Sequence, residues 1–139
     1  MTKEQLRAYR DLKTEHDLLS QKLEELETEL YGVQAQRLDG MPHSSREGSS
    51  DKTDILLDRK TLLHARYMVK KVELAKAVLA IEDAIEKLTP RERTLIRLYY
   101  IDGLTWEQVA VKMNYSWRQV HRIHGAALAQ LKTNEEATE

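Results

Sequence analysis

Apolar side chains recur every three or four residues along the first 38 positions, and the positions between them are mostly charged or Gln. This spacing places the apolar residues on one narrow stripe of a helix, as in a coiled coil. Because so narrow a stripe has to be covered by another helix, residues 1 to about 38 are predicted to form one long helix that does not fold alone. The stripe consists of Tyr9, Leu12, His16, Leu19, Leu23, Leu26, Leu30 and Val33.

A second long helix is predicted from Asp54 to Leu88, and it carries two apolar stripes. One stripe suits a hairpin with the first helix, and the other suits a second copy of the protein, so we expect a homodimer or a higher oligomer. The alternative is a monomer whose second stripe packs on its own C-terminal helices. The first stripe holds Leu56, Leu63, Tyr67, Leu74, Val78, Ile81, Ile85 and Leu88, and the second holds Ile55, Leu62, Val69, Val72 and Leu79.

Residues 39–53 separate the two predicted helices. This segment is rich in Gly and Ser, contains a Pro and has almost no large apolar residue, which is the composition of a flexible loop. Residues 1–88 are therefore predicted to be a coiled-coil-like helical hairpin that mediates self-association. The function of the loop stays open.

Three helix starts with the same signature follow. At each start, Thr or Ser precedes Glu or Gln by three positions, which is the spacing of a capping box. Pro90 stands at a first helical position, where its fixed φ and missing N–H fit. Apolar residues at helical spacing come after each start. The three pairs are Thr89 with Glu92, Thr105 with Gln108, and Ser116 with Gln119.

The last two of these short helices are joined only by Asn114 and Tyr115. Asn tolerates the left-handed conformation that a tight turn between helices needs, and Gly103 offers a stop for the first short helix. Two short helices joined in this way and braced by a third form a helix-turn-helix. We predict this domain over residues 89–132, followed by an acidic tail, residues 133–139. The predicted fold class is thus all-α.

Charge is unevenly distributed along the chain, although its net charge is only −1. Residues 89–132 hold seven cations and three anions, a net of +4, whereas residues 1–31 hold five cations and eight anions, a net of −3. A basic, compact end suits phosphates. The acidic helical end suggests a second surface with a different partner.

The basic end resembles a known family. Its segments L-T-P-R-E, G-L-T-W-E-Q-V-A and S-W-R-Q-V-H-R-I, within residues 88–123, are similar to the fourth region of bacterial sigma factors. The resemblance covers roughly the last third of the chain and implies a helix-turn-helix that reads promoter DNA. Nothing in the chain resembles the sigma region that melts the promoter, so we do not expect a complete sigma factor.

The whole layout of two long helices, a loop and a sigma-like end also resembles phage-encoded transcription regulators of the RinA and ArpU type. Within the loop, M-P and S-D-K-T-D carry this resemblance. It implies a regulator in a bacterial host that activates late phage genes. Separately, the lack of Cys, of a long apolar run and of an apolar signal core at the charged N-terminus predicts a cytoplasmic protein. Periodicity and charge do not distinguish an activator from a repressor.

Candidate DNA contacts follow from the docking of such a domain, whose last helix presents its first turns to base edges in the major groove. Val120 and Ile123 are predicted to face inward. Arg matches O6 and N7 of guanine, and Gln matches N6 and N7 of adenine; the sigma-like resemblance marks the same positions, apart from His121. The predicted DNA contacts are Trp117, Arg118, Gln119, His121 and Arg122, and the predicted phosphate contacts are Arg97, Thr105, Lys112 and Ser116.

Other function classes are not supported. The sequence has no Cys, no phosphate-binding glycine loop and no other signature of an enzyme, so we expect neither catalysis nor a cofactor. His121 and His124 are three residues apart, but no further ligand cluster accompanies them, so we expect no metal site. No apolar run approaches the roughly 20 residues of a membrane span.

Double-stranded DNA is therefore the expected partner, with host RNA polymerase as a second one. Two alternatives stay open. The chain could be a sigma-like adaptor that binds RNA polymerase without reading DNA, or a purely structural coiled-coil oligomer without DNA affinity.

Overall fold

A computed structural model describes residues 1–38 and 46–138. Within these ranges there are five α-helices and no strand, so the predicted all-α class with a long helical hairpin is confirmed. A π-helical turn, Arg97–Ile101, extends the third helix. The helices are α1 (Lys3–Leu38), α2 (Arg46–Ile85), α3 (Pro90–Ile96), α4 (Trp106–Met113) and α5 (Trp117–Thr138).

The chain divides into two compact units. Residues 14–72 form the first, here called the hairpin unit, and residues 1–13 together with 73–139 form the second, the composite unit. Residues 133–138, which were expected to be an acidic tail, continue α5. The predicted domain division between residues 88 and 89 stays a prediction.

In the hairpin unit, α1 and α2 run antiparallel. Lys70 Nζ lies 3.1 Å from Glu15 Oε2, and Lys60 Nζ lies 3.5 Å from Glu27 Oε1. The later position in α2 thus pairs with the earlier position in α1, as in an antiparallel hairpin. The predicted stripes face each other: Leu23, Leu30 and Leu56 are buried, and the ring centroids of His16 and Tyr67 are 4.9 Å apart.

The second helix begins earlier than its composition indicates. The predicted start was Asp54, but α2 begins at Arg46, so residues 46–53 of the predicted loop are helical. Thr53 is buried on the hairpin side, and packing of this kind overrides a weak local propensity. The remainder of the predicted loop, residues 39–45, lies outside the described residues.

The second apolar stripe of α2 is exposed. Each of its five members has more than half of its surface accessible in the single chain. These five side chains are therefore accessible to a further contact, and whether a second copy covers them stays a prediction. The members are Ile55, Leu62, Val69, Val72 and Leu79.

The composite unit has a continuous apolar core. The start of α1, the end of α2 and all three C-terminal helices contribute to it, because each presents one apolar face. The α1 helix opens with a capping box that sequence inspection missed, in which Thr2 and Gln5 bond each other's backbone N–H groups. The buried members of the core are Leu6, Tyr9, Ile81, Ile85, Leu88, Leu95, Ile96, Tyr100, Val109, Val120, Ala127 and Leu131.

Candidate nucleic-acid interface

Two closed capping boxes frame the turn between α4 and α5. At the start of α4, the Thr105 N–H donates to Gln108 Oε1 at 2.9 Å, and the Gln108 N–H donates to Thr105 Oγ1 at 3.2 Å. Ser116 and Gln119 repeat this arrangement at the start of α5, with distances of 2.9 and 3.2 Å. Asn114 adopts the left-handed conformation, with φ of 59° and ψ of 43°. The predicted helix-turn-helix geometry is therefore set by local bonds.

The third predicted capping box is only half formed. The Glu92 N–H donates to Thr89 Oγ1 at 3.4 Å. At this helix start, which lies within the described residues, the Thr89 N–H does not donate to the Glu92 side chain in return. Glu92 Oε2 is buried without a hydrogen-bond partner. Pro90 occupies the first position of α3 as predicted. The start of α3 therefore has one side-chain bond where the starts of α4 and α5 have two.

An aromatic cluster holds α4 and α5 against the π-helical turn. Trp106 stacks on Tyr99 with ring centroids 3.7 Å apart, and its ring lies 4.7 Å from that of His124. Beneath them, the Tyr100 hydroxyl and His124 Nε2 share a buried hydrogen bond of 2.8 Å. Gly103, with φ of +73°, ends this segment, as predicted for a helix stop.

Burial keeps both partners of the Tyr100–His124 pair neutral. It lowers the pKa of His124 to about 4, with smaller contributions from the charges of Lys3, His121 and Arg7. It raises the pKa of Tyr100 to about 12. At neutral pH the pair is an uncharged internal bond, so His124 has a structural role here and is not exposed to a ligand.

The first turns of α5 present an exposed polar face. Trp117 is 61% exposed, and Arg118, Gln119 and Arg122 are exposed beside it. Val120, on the opposite side of the helix, is fully buried. Within the described residues, neither Arg118 nor Arg122 makes an ion pair. With most of its surface accessible, Trp117 does not cover the core.

His121 is placed differently from its four predicted companions. Its ring lies between two indoles, 4.0 Å from Trp117 and 4.6 Å from Trp106 by ring centroids. The side chain is half-buried, and its Nε2 atom is buried without a hydrogen-bond partner. This position supports Trp117 from below and leaves Nε2 away from the surface.

Gln119 combines two predicted roles that compete. Its Oε1 accepts the Ser116 N–H in the capping box. A bidentate contact to adenine needs the same oxygen as an acceptor and Nε2 as a donor. In this conformation Nε2 is the group that stays available, so reading adenine through both atoms requires a change in the cap.

The predicted phosphate contacts are also placed unequally. Lys112 is exposed, and the hydroxyls of Thr105 and Ser116 accept backbone N–H groups while each keeps its hydrogen to donate. Arg97, in contrast, is engaged by Glu82 through bonds of 2.7 and 2.9 Å. This hydrogen bond lowers the pKa of the Glu82 carboxyl.

Sequence inspection missed the arginines that brace α3. Arg93 donates to the backbone oxygens of Glu86 and Leu88, both at 3.0 Å, and so closes the end of α2. The Arg91 guanidinium lies 5.6 Å from the Tyr115 ring centroid. No local sequence pattern indicates such contacts, because the partners are up to 24 residues away.

The described part of the chain has neither a metal-binding cluster nor a membrane-crossing helix. Over residues 1–38 and 46–138, no three His, Cys, Asp or Glu side chains are grouped so that they could bind a metal ion. In the same residues, no helix combines the length and apolar character needed to cross a bilayer.

In comparison with known proteins, residues 84–133 match the family described as sigma-70, region 4. No curated protein and no solved structure matches the chain. The match takes in α3, α4 and most of α5, and it is to a DNA-binding regulatory fold, not a catalytic one. The resemblance of the whole layout to RinA and ArpU regulators stays a prediction. Residues 84–133 are thus a helix-turn-helix similar to region 4 of sigma-70 factors, a DNA-binding fold consistent with transcription regulation.

Proposed function

We propose that this protein is a sequence-specific DNA-binding transcription regulator that reads base edges with the first turns of α5. The observation that carries the proposal is the exposed face formed by Trp117, Arg118 and Arg122 at the start of a capped helix. Arginines without an ion pair on a domain of net charge +4 are suited to DNA, because they lose no internal partner on binding.

Each exposed side chain has a defined chemical task. Arg118 and Arg122 are one helical turn apart, and each can bond O6 and N7 of guanine. Trp117 offers an apolar surface to thymine methyl groups or to the sugar-phosphate backbone. Because His121 packs against the Trp117 ring at 4.0 Å, we assign His121 to positioning this ring. Gln119 contributes a donor through Nε2.

Phosphate contacts would fix the register of α5. Lys112, Thr105 and Ser116 lie on or beside the two capped helix starts, where backbone N–H groups favour anions. These contacts carry little sequence information, but they set the orientation of the helix on the duplex. Arg97 joins them only if it leaves Glu82 or contacts DNA through its remaining N–H groups.

The proposal is tested by fluorescence anisotropy with DNA fragments from the protein's own gene neighbourhood, in the presence of competitor DNA and at two salt concentrations. Arg118→Ala and Arg122→Ala are compared with Lys132→Ala. Lys132 is a matched control, because it is an exposed cation on the same helix, about 21 Å from Arg118 at 1.5 Å per residue.

We expect one fragment to be bound selectively, with an affinity that falls steeply as salt rises. Losing either Arg should cost about 1–3 kcal/mol on that fragment and relax the preference at one base pair. Lys132→Ala should weaken binding much less. Unchanged affinity in both Arg variants would show that α5 is not the reading helix.

We further propose, from the resemblance to RinA and ArpU regulators, that the regulated genes are late phage genes and that the effect is activation. The test is a reporter fused to the promoter of the nearest packaging or structural operon in the host bacterium. Activation predicts reporter output only when the protein is present. Lower output in its presence would identify a repressor.

One observation favours the second candidate function, an adaptor that binds RNA polymerase. Val111, on α4, is 81% exposed, next to Lys112 and on the side of the domain opposite its buried neighbour Val109. Together with Leu104, Val111 lines a shallow depression of the surface, and an exposed apolar patch suits a protein contact. Val111→Ser should weaken polymerase binding if the adaptor hypothesis is right and, because it adds no charge beside Lys112, leave affinity for DNA alone unchanged. Polymerase binding by a protein without DNA selectivity would favour the adaptor.

A further inference from the structure

The exposed stripe of α2 extends into a complete heptad seam. When intervening positions are included, exposed side chains follow one another in alternating steps of three and four residues from Ile55 to Leu79. This is the spacing of a coiled-coil interface. The face of α2 that packs in the hairpin, marked by the buried Leu56, is a different one. The eight seam positions are Ile55, Asp58, Leu62, Ala65, Val69, Val72, Lys76 and Leu79.

Two members of the seam are charged, and their positions are informative. Asp58 and Lys76 interrupt an otherwise apolar row, and each lies nine residues from position 67. Their charges are opposite. A charged residue at a seam position specifies register and orientation in coiled coils, because burying it opposite a like charge is unfavourable and burying it opposite its complement is tolerated.

We propose that α2 pairs with α2 of a second copy in an antiparallel, two-fold symmetric coiled coil centred at position 67. In this register every seam residue meets another seam residue. The two charged positions face each other, Asp58 of one copy opposite Lys76 of the second, on both sides of the symmetry axis. The remaining layers are Ile55 with Leu79, Leu62 with Val72, and Ala65 with Val69.

The parallel arrangement is disfavoured by the same residues. With two copies parallel and in register, Asp58 meets Asp58 and Lys76 meets Lys76, so both charged layers become repulsive. The antiparallel seam covers 25 residues of each copy, a length of about 36 Å at 1.5 Å per residue. It buries six apolar positions of each copy that water otherwise covers.

The occupant of this face is therefore a second copy of the chain. A two-fold dimer is self-complementary: the same patch serves both sides, and this seam meets that condition by pairing position i with position 134 − i. A different protein would not need the oppositely charged pair to share its midpoint, position 67, with the three apolar pairs of the seam. The inference does not depend on DNA binding.

Charge reversal tests the register, with the dimer dissociation constant measured by sedimentation of the full chain. Asp58→Lys or Lys76→Asp alone should raise the dissociation constant at least about tenfold, because each creates two like-charge layers. The double substitution should restore it. Lys71→Asp, the same change at an exposed position of α2 outside the seam, is the control and should change it little.

Disulfide formation tests the orientation independently, since the natural chain has no Cys. Leu62→Cys and Val72→Cys are prepared separately, mixed and oxidised. The antiparallel register predicts a linked dimer containing one copy of each variant, identified by mass spectrometry. Either variant alone should link poorly, because like positions are then about 15 Å apart along the axis, beyond the reach of a disulfide.

Efficient linkage of each variant to itself would overturn the antiparallel register. A charge-reversed pair that fails to recover would do the same. A natural chain that sediments as a monomer at all concentrations, with folded helices by circular dichroism, would overturn self-association through this face and leave a different protein as its occupant.

Discussion

The composite unit and the hairpin unit bury their apolar residues to very different extents. Among the described residues, every large side chain that is fully buried belongs to the composite unit, whereas no apolar side chain of the hairpin unit is less than 4% exposed. Of the eleven exposed large apolar residues within the described ranges, eight lie in the hairpin unit. The composite unit thus buries most of its large apolar residues, and the hairpin unit leaves most of the exposed ones on its surface.

Capping of the helix starts does not separate the short helices from the long ones. The C-terminal helices are short, and short helices are marginal without capping and tertiary packing. Closed capping boxes start α4 and α5, whereas the box at the start of α3 is half formed. The long helix α1 also starts with a closed box. Burial therefore separates the two units more clearly than capping does: the unit that contains the helix-turn-helix buries a continuous apolar core, and the hairpin unit leaves apolar side chains exposed.

The largest expected effect is the difference in lost stability between a truncated core residue of the composite unit and a truncated exposed residue of the hairpin unit. Leu95→Ala should cost about 2–5 kcal/mol of the free energy of unfolding, because Leu95 is fully buried and its removal leaves a cavity. Leu62→Ala, at a side chain that is 55% exposed, should cost less than about 0.5 kcal/mol at low protein concentration. Urea unfolding followed by circular dichroism measures both. Equal losses would contradict the distinction between the units.

The second effect is a pH dependence confined to the composite unit. The pKa of His124 is about 4 in the folded protein, below its ordinary value of 6.5, so the unfolded chain binds the extra proton first. The neutral imidazole therefore contributes fully to the free energy of unfolding above pH 6.5. As the pH falls towards 4, roughly 1–3 kcal/mol of this free energy is lost.

His124→Gln tests this assignment, because an amide can still bond the Tyr100 hydroxyl but does not titrate. The variant should show a flatter dependence of unfolding free energy on pH between 4 and 6.5. Tryptophan fluorescence reports the composite unit directly, since both tryptophans lie in it. An unaltered pH profile would mean that other groups cause the acid sensitivity.

Capping should give the third effect. Thr105→Ala removes the hydroxyl of a closed capping box and should cost about 1 kcal/mol. Thr89→Ala should cost less, because its single bond is long at 3.4 Å and the reciprocal bond is not formed. Thermal unfolding of the two variants measures the difference. A larger loss at Thr89 would show that this half-formed cap matters more than its geometry indicates.

The smallest effect concerns Arg97. Its ion pair with Glu82 is largely exposed, so breaking it should change stability by less than about 1 kcal/mol. DNA affinity is the sharper measurement. If Arg97 contacts phosphate, Arg97→Ala should weaken binding and Glu82→Gln, which releases the arginine, should not. Equal affinity in both variants would restrict Arg97 to its structural bond.

The local features of this fold could be predicted because their causes lie within a few residues. The hydroxyl and amide of each closed capping box are three positions apart, and the left-handed turn needs only Asn114. The start of α2 could not be predicted in the same way. Residues 46–53 have the composition of a loop, and the burial of Thr53 depends on packing within the hairpin unit.

The predicted side-chain exposure on α5 agrees with the structure where helical geometry alone decides it, and the roles of these residues in DNA binding stay predictions. A helical period of 3.6 residues places Val120 on the inward face of α5 and Arg118 and Arg122 on the outward face. The partial burial of His121 could not be predicted from this period, because it depends on two indole rings, one of them on a different helix. Gln119 was predicted to serve both a cap and a base contact, and only the folded structure shows that its oxygen accepts the Ser116 N–H.

The sequence by itself determined the helical class, the hairpin, the capped starts of α4 and α5 and the basic face, since periodicity and capping act over one or two turns. Tertiary structure alone decided the Tyr100–His124 bond across 24 residues, the Arg97–Glu82 pair across 15, and which stripe of α2 stays exposed. These depend on which faces meet after folding, and a linear pattern does not contain that information.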